Sequence, residues 1–312
     1  MTIKTAILTL FATSVFAGGA LAEYPEKRID LIVPWTAGGS TDARARVLAP
    51  KFEEILGQTV VVRNVAGAAG TIGTNEVASA RADGYTLLLT PAGPTVIQPR
   101  LRELPYTLED FDLVCRLDSV PIVWMVEENS DYKTMQDFVD AAKARPGELS
   151  YATAGVGTIP HLVGLRVASG FGIDLKHLPA KGAADAMKNL LGDIVDAAPE
   201  SEDHVARFDV RALGIASEER SEVLPDVPTF RELGVDLVQS HWQAIYMPKG
   251  APEEVRGKLA SACNAALTDP AVIESFENMN TKADPLTGEA LTEFVAGEDA
   301  ALAELLKHTE IK

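Results

Sequence analysis

The hydrophobic and polar positions of this chain change period several times, and each change marks a predicted element. The apolar run Ile29–Val33 predicts a strand, and a helical spacing of apolar residues follows it and ends at Gly57. Thr59–Arg63 is a β-branched segment typical of a strand, a second helix extends to about Ala80, and Tyr85–Leu89 predicts a third strand. This β-α-β-α-β order predicts a parallel sheet with right-handed crossovers.

A second alternating set begins at Val120 and leads into a helical tail. Strands are predicted near Val120–Val126, Leu149–Ala152, Leu175–Leu178, Val195–Ala197, Val210–Ala216 and Trp242–Met247. Helices are predicted over about Met135–Ala144, from Pro160 onward, and over Ala183–Leu191, Glu253–Leu267, Ala271–Met279 and Gly288–Leu306.

Two such sets predict an α/β fold with two lobes and mostly parallel sheets. We expect the first lobe to combine residues 23–124 with 245–312, and the second to comprise residues 125–244. The chain would cross between them near Val123–Val126 and Ala244–Tyr246, which gives a hinge without a flexible linker.

The N-terminus has the pattern of a secretory signal peptide. Lys4 precedes an apolar run over Thr5–Phe16, and Ala20–Ala22 has the A-x-A form of a cleavage site. The alternative is a membrane anchor, but a spanning helix needs about 20 apolar residues and this run is shorter. We therefore predict export to the periplasm, with residues 1–22 removed by cleavage after Ala22.

The net charge of the chain restricts the classes of partner that it can bind. The chain has 28 basic and 45 acidic residues, and loss of Lys4 with the signal peptide makes the mature net charge −18. Binding to nucleic acid requires clustered Lys and Arg, so nucleic acid is excluded as a natural partner, and anionic lipid is disfavoured. The simplest role of the acidity is solubility. An anionic ligand would be repelled overall, so local backbone dipoles would have to bind it.

Cysteine and histidine give little sign of metal chemistry. Cys115 and Cys263 could form a disulfide in an oxidising compartment. Cys115 lies on a strand-like run and Cys263 in a helical pattern, so two buried free thiols are an equal alternative. The five histidines lack the spacing of metal ligands. We expect neither a metal nor a cofactor.

Small-residue loops recur where a predicted strand ends and a helix begins. Trp35–Asp42, Gly67–Gly70 and Thr153–Thr158 have this form, and Thr90–Pro94 is related. Ligands of parallel α/β sheets bind outside the carboxyl ends of strands, and helix N-termini there favour anions. Glycine permits close backbone approach, and hydroxyl groups add donors. Two such loops, one from each lobe, could clamp a carboxylate.

The first of these loops also has a simpler interpretation. Gly38–Asp42 could be only a capped helix start, with Ser40, Thr41 or Asp42 as the cap.

Two other kinds of site are not supported by the sequence. Gly67–Gly73 lacks the G-x-G-x-x-G order of a dinucleotide site, and the chain has no G-x-S-x-G nucleophile motif.

Three further features each leave two interpretations open. His161 is either a pocket residue or a histidine that packs the loop, and Trp35 either lines a pocket or fills a lobe surface. Glu200 belongs to an acidic group with Glu202 and Asp203 that is most simply a solvated turn. If one of these acids entered the cleft, it would favour a ligand with an amino group or another donor.

Motifs along nearly the whole mature chain resemble one family. The start Tyr24–Ile29, followed by Val33–Asp42, is similar to the Bug/TctC receptors of tripartite tricarboxylate transporters. The resemblance continues in the segments Leu56–Gln58, Val60–Val62, Gly67–Gly73, Ala82–Leu88, Leu104–Tyr106, Pro146–Gly147, Tyr151–Thr153, His161–Leu162, Lys181–Gly182, Leu224–Thr229 and Pro248–Pro252.

The resemblance implies a periplasmic solute-binding protein of the type II, Venus-flytrap architecture, which is not an enzyme. It implies that the protein binds a small carboxylate, either a di- or tricarboxylate or a related organic acid, with bridging waters, and passes it to the membrane components of the transporter. We expect the protein to be a monomer. The resemblance implies that the loops Trp35–Asp42 and Thr153–Thr158 hold the ligand with support from Thr90-Pro91 and Lys181-Gly182, and the residues themselves add His161 and Glu200 as candidates. The candidate ligand-binding residues are Trp35, Thr36, Ala37, Gly38, Gly39, Ser40, Thr41, Asp42, Thr90, Pro91, Thr153, Ala154, Gly155, Gly157, Thr158, His161, Lys181, Gly182 and Glu200.

Two other functions are alternatives to the receptor. A sensor that reports a ligand to a membrane kinase would have the same cleft. A periplasmic α/β enzyme could use Asp42, His161 or a cysteine, but the chain lacks a nucleophile–base signature. The chain departs from the family pattern at Trp35-Thr36, at Ala180 and over Ala197–Ser201, and these departures leave the ligand's identity open.

Overall fold

The computed structural model describes residues 24–308, so the predicted signal peptide over residues 1–22 lies outside the described residues. The strands in this range are β1 (Ile29–Val33), β2 (Val60–Asn64), β3 (Thr86–Pro91), β4 (Phe111–Glu127), β5 (Ser150–Thr153), β6 (Lys176–Pro179), β7 (Ala198–Ser201), β8 (Val210–Ile215) and β9 (Ser240–Pro248).

The α-helices alternate with these strands and then close the chain. They are α1 (Ser40–Leu56), α2 (Thr71–Ala78), α3 (Gln98–Leu101), α4 (Met135–Ala144), α5 (Ile159–Phe171), α6 (Ala183–Leu191), α7 (Glu253–Leu267), α8 (Pro270–Glu277) and α9 (Gly288–His308). Within residues 24–308, none of the helices has both the length and the apolar character needed to span a bilayer. The α/β class predicted from the sequence is confirmed.

The first three strands form the predicted parallel sheet. β1 is central, and its Leu31 lies opposite Val62 of β2 and Leu87 of β3. The sheet is covered on both faces, because Leu31 packs in a core with α1 and α7 while Ile32 packs in the core on the opposite face. A strand buried on both faces is apolar at nearly every position, which explains the unbroken run Ile29–Val33.

β4 is one long strand rather than the two separate strands predicted from the sequence. Its first part, residues 111–121, pairs antiparallel with β9, and residues 122–127 pair antiparallel with β7 and β8. The polar residues Arg116 and Asp118 interrupt the apolar pattern, and the register of the β4–β9 ladder shifts between them. Both side chains have ion-pair partners far away in the sequence, so the strand can continue through them.

The second group of strands is built on β4. β5 pairs in parallel with β6, and Tyr151 of β5 forms a parallel bridge to Ala197, next to β7. α4 and α5 pack on one face with Trp124 and Tyr151, whereas α6 packs on the other face with Val123 and Met125. β7 begins at Ala198, three residues later than the strand predicted there, and this shift places Glu200 inside a strand.

Cys115 of β4 and Cys263 of α7 form a disulfide across a sequence separation of 148 residues. Both residues are fully buried in the core that joins α1, α7 and the first sheet. The structure thus decides between the two alternatives left by the sequence.

We expect Cys263→Ser to lower the free energy of unfolding by about 2–4 kcal/mol, because the disulfide restricts the unfolded chain. Urea denaturation of the variant and the oxidised wild type measures this difference. Wild type treated with reductant should approach the stability of the variant. Two titratable thiols in unreduced wild type unfolded in urea would contradict the assignment of the disulfide.

Candidate functional site

Three helices begin at the same cavity. α1 follows Gly39, α5 follows Thr158 and α6 follows Gly182, and all three of these residues line the cavity. Its volume is about 50 Å³, which is room for a few water-sized groups. The first N–H groups of a helix have no partner within the helix, and the helix dipole makes that end positive. The cavity therefore offers several donors to an anion.

The rest of the wall is mostly apolar or carries hydroxyl groups. Among the residues that line the cavity, Glu200 and His241 have ionisable side chains, and the wall includes no Lys or Arg. The remaining lining residues are Trp35, Thr36, Ser40, Thr41, Pro91, Gly93, Ala154, Ile159, Pro160, Ala183 and Ala184.

Asp42 organises the first loop, Trp35–Asp42, through its hydrogen bonds. The Gly38 N–H donates to Asp42 Oδ2 over 2.9 Å, and the side chains of Asn64 and Arg46 donate to the same carboxylate, each over 2.9 Å. Burial alone would raise the pKa of Asp42, but the hydrogen bonds from Arg46, Gly38 and Asn64 hold it below its usual range. Asp42 therefore stays ionised and organises the loop. The cap residue of α1 is Gly39, not one of the three residues considered from the sequence.

His161 organises the second loop, Thr153–Thr158, in the same way. Its Nδ1 accepts a hydrogen bond of 3.1 Å from the Gly157 N–H, and its ring stacks on His177 with 4.0 Å between the ring centroids. Burial, followed by the nearby His177, lowers the pKa of His161 to about 3, so the ring is neutral and Nδ1 is free to accept. In the same loop the Thr158 hydroxyl donates to the Gly155 carbonyl over 2.9 Å.

The second loop also contacts α3, which precedes β4 in the chain. Gln98 of α3 donates from Nε2 to the carbonyls of Val156, at 2.6 Å, and Gly157, at 3.1 Å. Gly157 has φ +71°, and an added Cβ there would collide with Leu101 and Gln98. The left-handed backbone therefore favours glycine at this contact.

Lys181 lines a second, outer cavity and not the inner cavity that Glu200 lines. This cavity has a volume of about 640 Å³ and shares Trp35, Thr36 and Ala154 with the inner one. Its other lining residues are Ala66, Gly67, Ala68, Ala69, Gly70, Gln98, Leu101, Arg102, Gly155, Val156, Ala180 and Lys181.

Glu200 is buried at the inner cavity, so the solvated turn predicted for this segment is wrong. It lies in β7 with 3% of its surface exposed, and Asp203 just beyond it is fully buried. Burial raises the pKa of Glu200 to about 7. His241 of β9 lines the same cavity, and burial together with the positive charge of Arg44 lowers its pKa to about 4. His241 is therefore neutral at pH 7.

A buried ionic cluster lies close to Glu200 and His241. The side chain of Arg44 in α1 forms an ion pair with Asp118 of β4, and its Nη1 donates to the Ser40 carbonyl over 3.1 Å. His204 Nδ1 lies 3.4 Å from Asp203 Oδ1. Burial disfavours the charged forms of both Asp203 and His204. Their mutual attraction opposes this effect, and it holds the pKa of Asp203 well below its usual range and raises the pKa of His204.

The inner cavity brings together ten of the residues predicted from the sequence. They are Trp35, Thr36, Gly39, Ser40, Thr41, Pro91, Ala154, Thr158, Gly182 and Glu200. Gly155 and Lys181 line the outer cavity. The predicted residues that line neither cavity are Ala37, Gly38, Asp42, Thr90, Thr153, Gly157 and His161.

The sequence reasoning missed several lining residues. Ala183 and Ala184 begin α6 directly after Lys181-Gly182, so extending the predicted loop into its helix would have found them. β9 begins at Ser240, two residues before the predicted start at Trp242, so His241 fell outside the predicted strand, and no local pattern marks it. The full set of missed residues is Gly93, Ile159, Pro160, Ala183, Ala184 and His241. Over residues 24–308, no group of three or more His, Cys, Asp or Glu side chains is placed to hold a metal ion.

Comparison with known proteins gives consistent matches. Residues 44–310 match the family TctC, the tripartite tricarboxylate transporter family receptor. Protein BugT of Bordetella pertussis is 36% identical over 322 aligned residues, which cover 100% of this chain and 99% of BugT. The structure of periplasmic binding protein BugD has a TM-score of 0.85 and 33% identity, covering 93% of this chain and 99% of BugD. MatC of Rhodopseudomonas palustris with bound malate has a TM-score of 0.83 and 26% identity, covering 91% of this chain and 100% of MatC.

Proposed function

Because this chain belongs to the TctC family of tripartite tricarboxylate transporter receptors, we propose that it captures a small carboxylate, either a di- or tricarboxylate or a related organic acid, and delivers it to the membrane components of such a transporter. It is a solute-binding protein and not an enzyme, as the matches to BugT and BugD indicate. The observation that carries the proposal is the meeting of three helix N-termini at one cavity.

The charge of the protein supports backbone binding of the carboxylate. No Lys or Arg is found among the residues that line the inner cavity, and the chain as a whole is strongly acidic. Helix N-termini provide positive potential and N–H donors without a basic side chain. The hydroxyls of Ser40 and Thr41 add donors whose direction can adjust to the ligand. MatC, with its bound malate, is a relative that binds a small carboxylate.

We further propose two lobes that close over the ligand, with residues 23–124 and 245–312 in one lobe and 125–244 in the other. The change of partners along β4, between residues 121 and 122, supports a crossing at this strand. The start of α1 would then bind the ligand from the first lobe, and the starts of α5 and α6 from the second. The ligand-binding set is the ten lining residues identified from the sequence, and Gln98 would hold the lobes together.

The location of the protein follows from the same proposal. BugD is a periplasmic binding protein, and we place this chain in the periplasm as a monomer after cleavage behind Ala22. A disulfide between Cys115 and Cys263 is in keeping with an oxidising compartment.

A thermal-shift screen tests the proposed ligand class. We expect at least one acid among malate, succinate, adipate, citrate, amino acids and aromatic acids to raise Tm, because a ligand at 100 times its Kd adds about 2.7 kcal/mol to stability. An active acid that is methyl-esterified at every carboxyl group keeps the carbon skeleton without the carboxylates and should have no effect. If no acid shifts Tm, or if the esters are as effective, a carboxylate receptor is ruled out.

Delivery to a transporter needs its own measurement. Membrane vesicles that contain the membrane components should take up the radiolabelled acid only when the purified protein is added. Uptake at the same rate without the protein would contradict the partnership and leave the binding function intact.

A further inference from the structure

Glu200 presents a buried acidic side chain to the cavity in which we place a negatively charged ligand. It is 3% exposed and lines the cavity, and it lies in β7 opposite Val123 of β4. Its Oε1 has no hydrogen-bond partner within the described part of the chain. An ionised carboxylate buried without a partner is costly, so such a group is normally paired with a cation or a donor.

The other buried charges near Glu200 are already paired with one another. Arg44 forms its ion pair with Asp118. His204 attracts Glu200 but is paired directly with Asp203, which also has Arg207 Nη1 at 3.6 Å. His241, the other ionisable residue of the cavity wall, is neutral at pH 7. Glu200 is therefore the one acid of this group without a positive side chain dedicated to it.

We propose that the ligand is a carboxylate that also carries a protonated amine, and that this amine pairs with Glu200 while the carboxylate binds the starts of α1, α5 and α6. This inference rests on the proposed function. It divides the cavity into an anion-binding side made of helix ends and a cation-binding side made of one acidic residue. Amino acids and amino dicarboxylates have this pattern of charge.

A second carboxylate next to Glu200 would be unfavourable, because two like charges would meet in a site with little water. A ligand hydroxyl could donate to Glu200 but would leave its charge uncompensated. An ammonium group both donates hydrogen bonds and neutralises the charge, and charge-assisted hydrogen bonds are the stronger kind.

The proposal predicts a specific dependence on pH. Glu200 must be ionised to pair with the amine, and burial raises its pKa to about 7 in the free protein. Affinity for an amino acid should therefore weaken as the pH falls from 8 to 6, whereas affinity for the same acid without the amine should not weaken.

The charged or titratable groups around Glu200 are Arg44, Asp118, Asp203, His204 and His241. Of these, His204 becomes more positive as the pH falls, which would lower the pKa of Glu200 and reduce the effect.

Calorimetric titration with matched ligands at pH 8 tests the proposal. The pairs are alanine with propionate and aspartate with succinate, because each pair differs only in the amine. We expect wild type to bind at least one of the amino acids about tenfold to 100-fold more tightly than its partner acid, which is the usual range for a hydrogen bond to a charged group. Glu200→Gln should remove this preference, so that an amino acid and its partner acid bind the variant with affinities within about threefold of each other.

Glu202→Gln is the matched control, because it makes the same change two residues along the chain at a side chain that does not line the inner cavity. It should keep the preference for the amine. Ethylamine, which has an amine and no carboxylate, separates the two proposals.

Equal binding within each pair, tighter binding of the acid without the amine, or a preference that survives Glu200→Gln would overturn the inference and leave the carboxylate receptor standing. Ethylamine bound as tightly as alanine would instead overturn the proposed function. If none of the acids, with or without the amine, binds to wild type, both proposals fall.

Discussion

Asp118→Ala is expected to lower the free energy of unfolding by about 3–5 kcal/mol, because it leaves a buried guanidinium without its counter-ion. The side chains of Arg44 and Asp118 are 1% and 0% exposed. Arg44 also donates to the Ser40 carbonyl at the start of α1, so loss of the pair disturbs the loop that we propose binds the carboxylate. Urea denaturation at pH 7 measures the change in stability.

Two further variants define what this result means. Asp236→Ala breaks the ion pair with Arg231, whose two side chains are 46% and 85% exposed, and should cost at most about 1 kcal/mol. The double variant Arg44→Met with Asp118→Leu removes both charges and should recover most of the lost stability, since a buried pair can often be replaced by apolar side chains. A loss from Asp118→Ala no larger than that from Asp236→Ala would show that the buried pair contributes little.

Gly39→Val is expected to weaken binding of the carboxylate by about 100-fold or more, because the side chain would occupy a cavity that has room for only a few water-sized groups. Gly39 has φ −79° and ψ 173°, an extended conformation that valine can adopt, and the atom nearest to an added Cβ is the Thr36 carbonyl oxygen at 3.7 Å. The fold should therefore tolerate the change, with a cost of about 1 kcal/mol or less for a poorer helix cap. Calorimetric titration with the acid identified by the thermal-shift screen measures the affinity.

Gly257→Val is the control for Gly39→Val. Gly257 lies in α7, does not line the inner cavity, and has open space around an added Cβ. This variant should bind like wild type. If Gly39→Val also binds with wild-type affinity, the ligand does not occupy the cavity at the start of α1.

The first sheet could be predicted because its signals are local. The run Ile29–Val33 has the unbroken apolar character of a strand buried on both faces, and the loop Trp35–Asp42 after it has the small residues of a helix start. These features repeat at Thr153–Thr158 before α5. The sequence therefore predicted two of the three helix ends that meet at the cavity, and the Lys181-Gly182 pair marked the third.

The course of β4 could not be predicted, because its polar residues have remote partners. Arg116 and Asp118 interrupt the apolar pattern, and local reasoning divides the strand at that point. Arg44 lies 74 residues from Asp118 in the sequence, and Asp284 lies 168 residues from Arg116. No pattern within a window of ten or twenty residues records such pairs.

By itself, the sequence determined the α/β class, the order of the elements, the small-residue loops at helix starts and the family, because periodicity and turn chemistry depend on neighbours in the chain. The tertiary structure alone decided that Cys115 and Cys263 pair, that Lys181 lies apart from the inner cavity, and that Glu200 is buried in its wall. The reason is that burial and pairing of polar groups depend on which distant segments pack against them. In the sequence, Glu200 belongs to a polar segment that looks like a solvated turn. It is buried because β7 pairs with β4 and because His241 of β9 lines the same cavity.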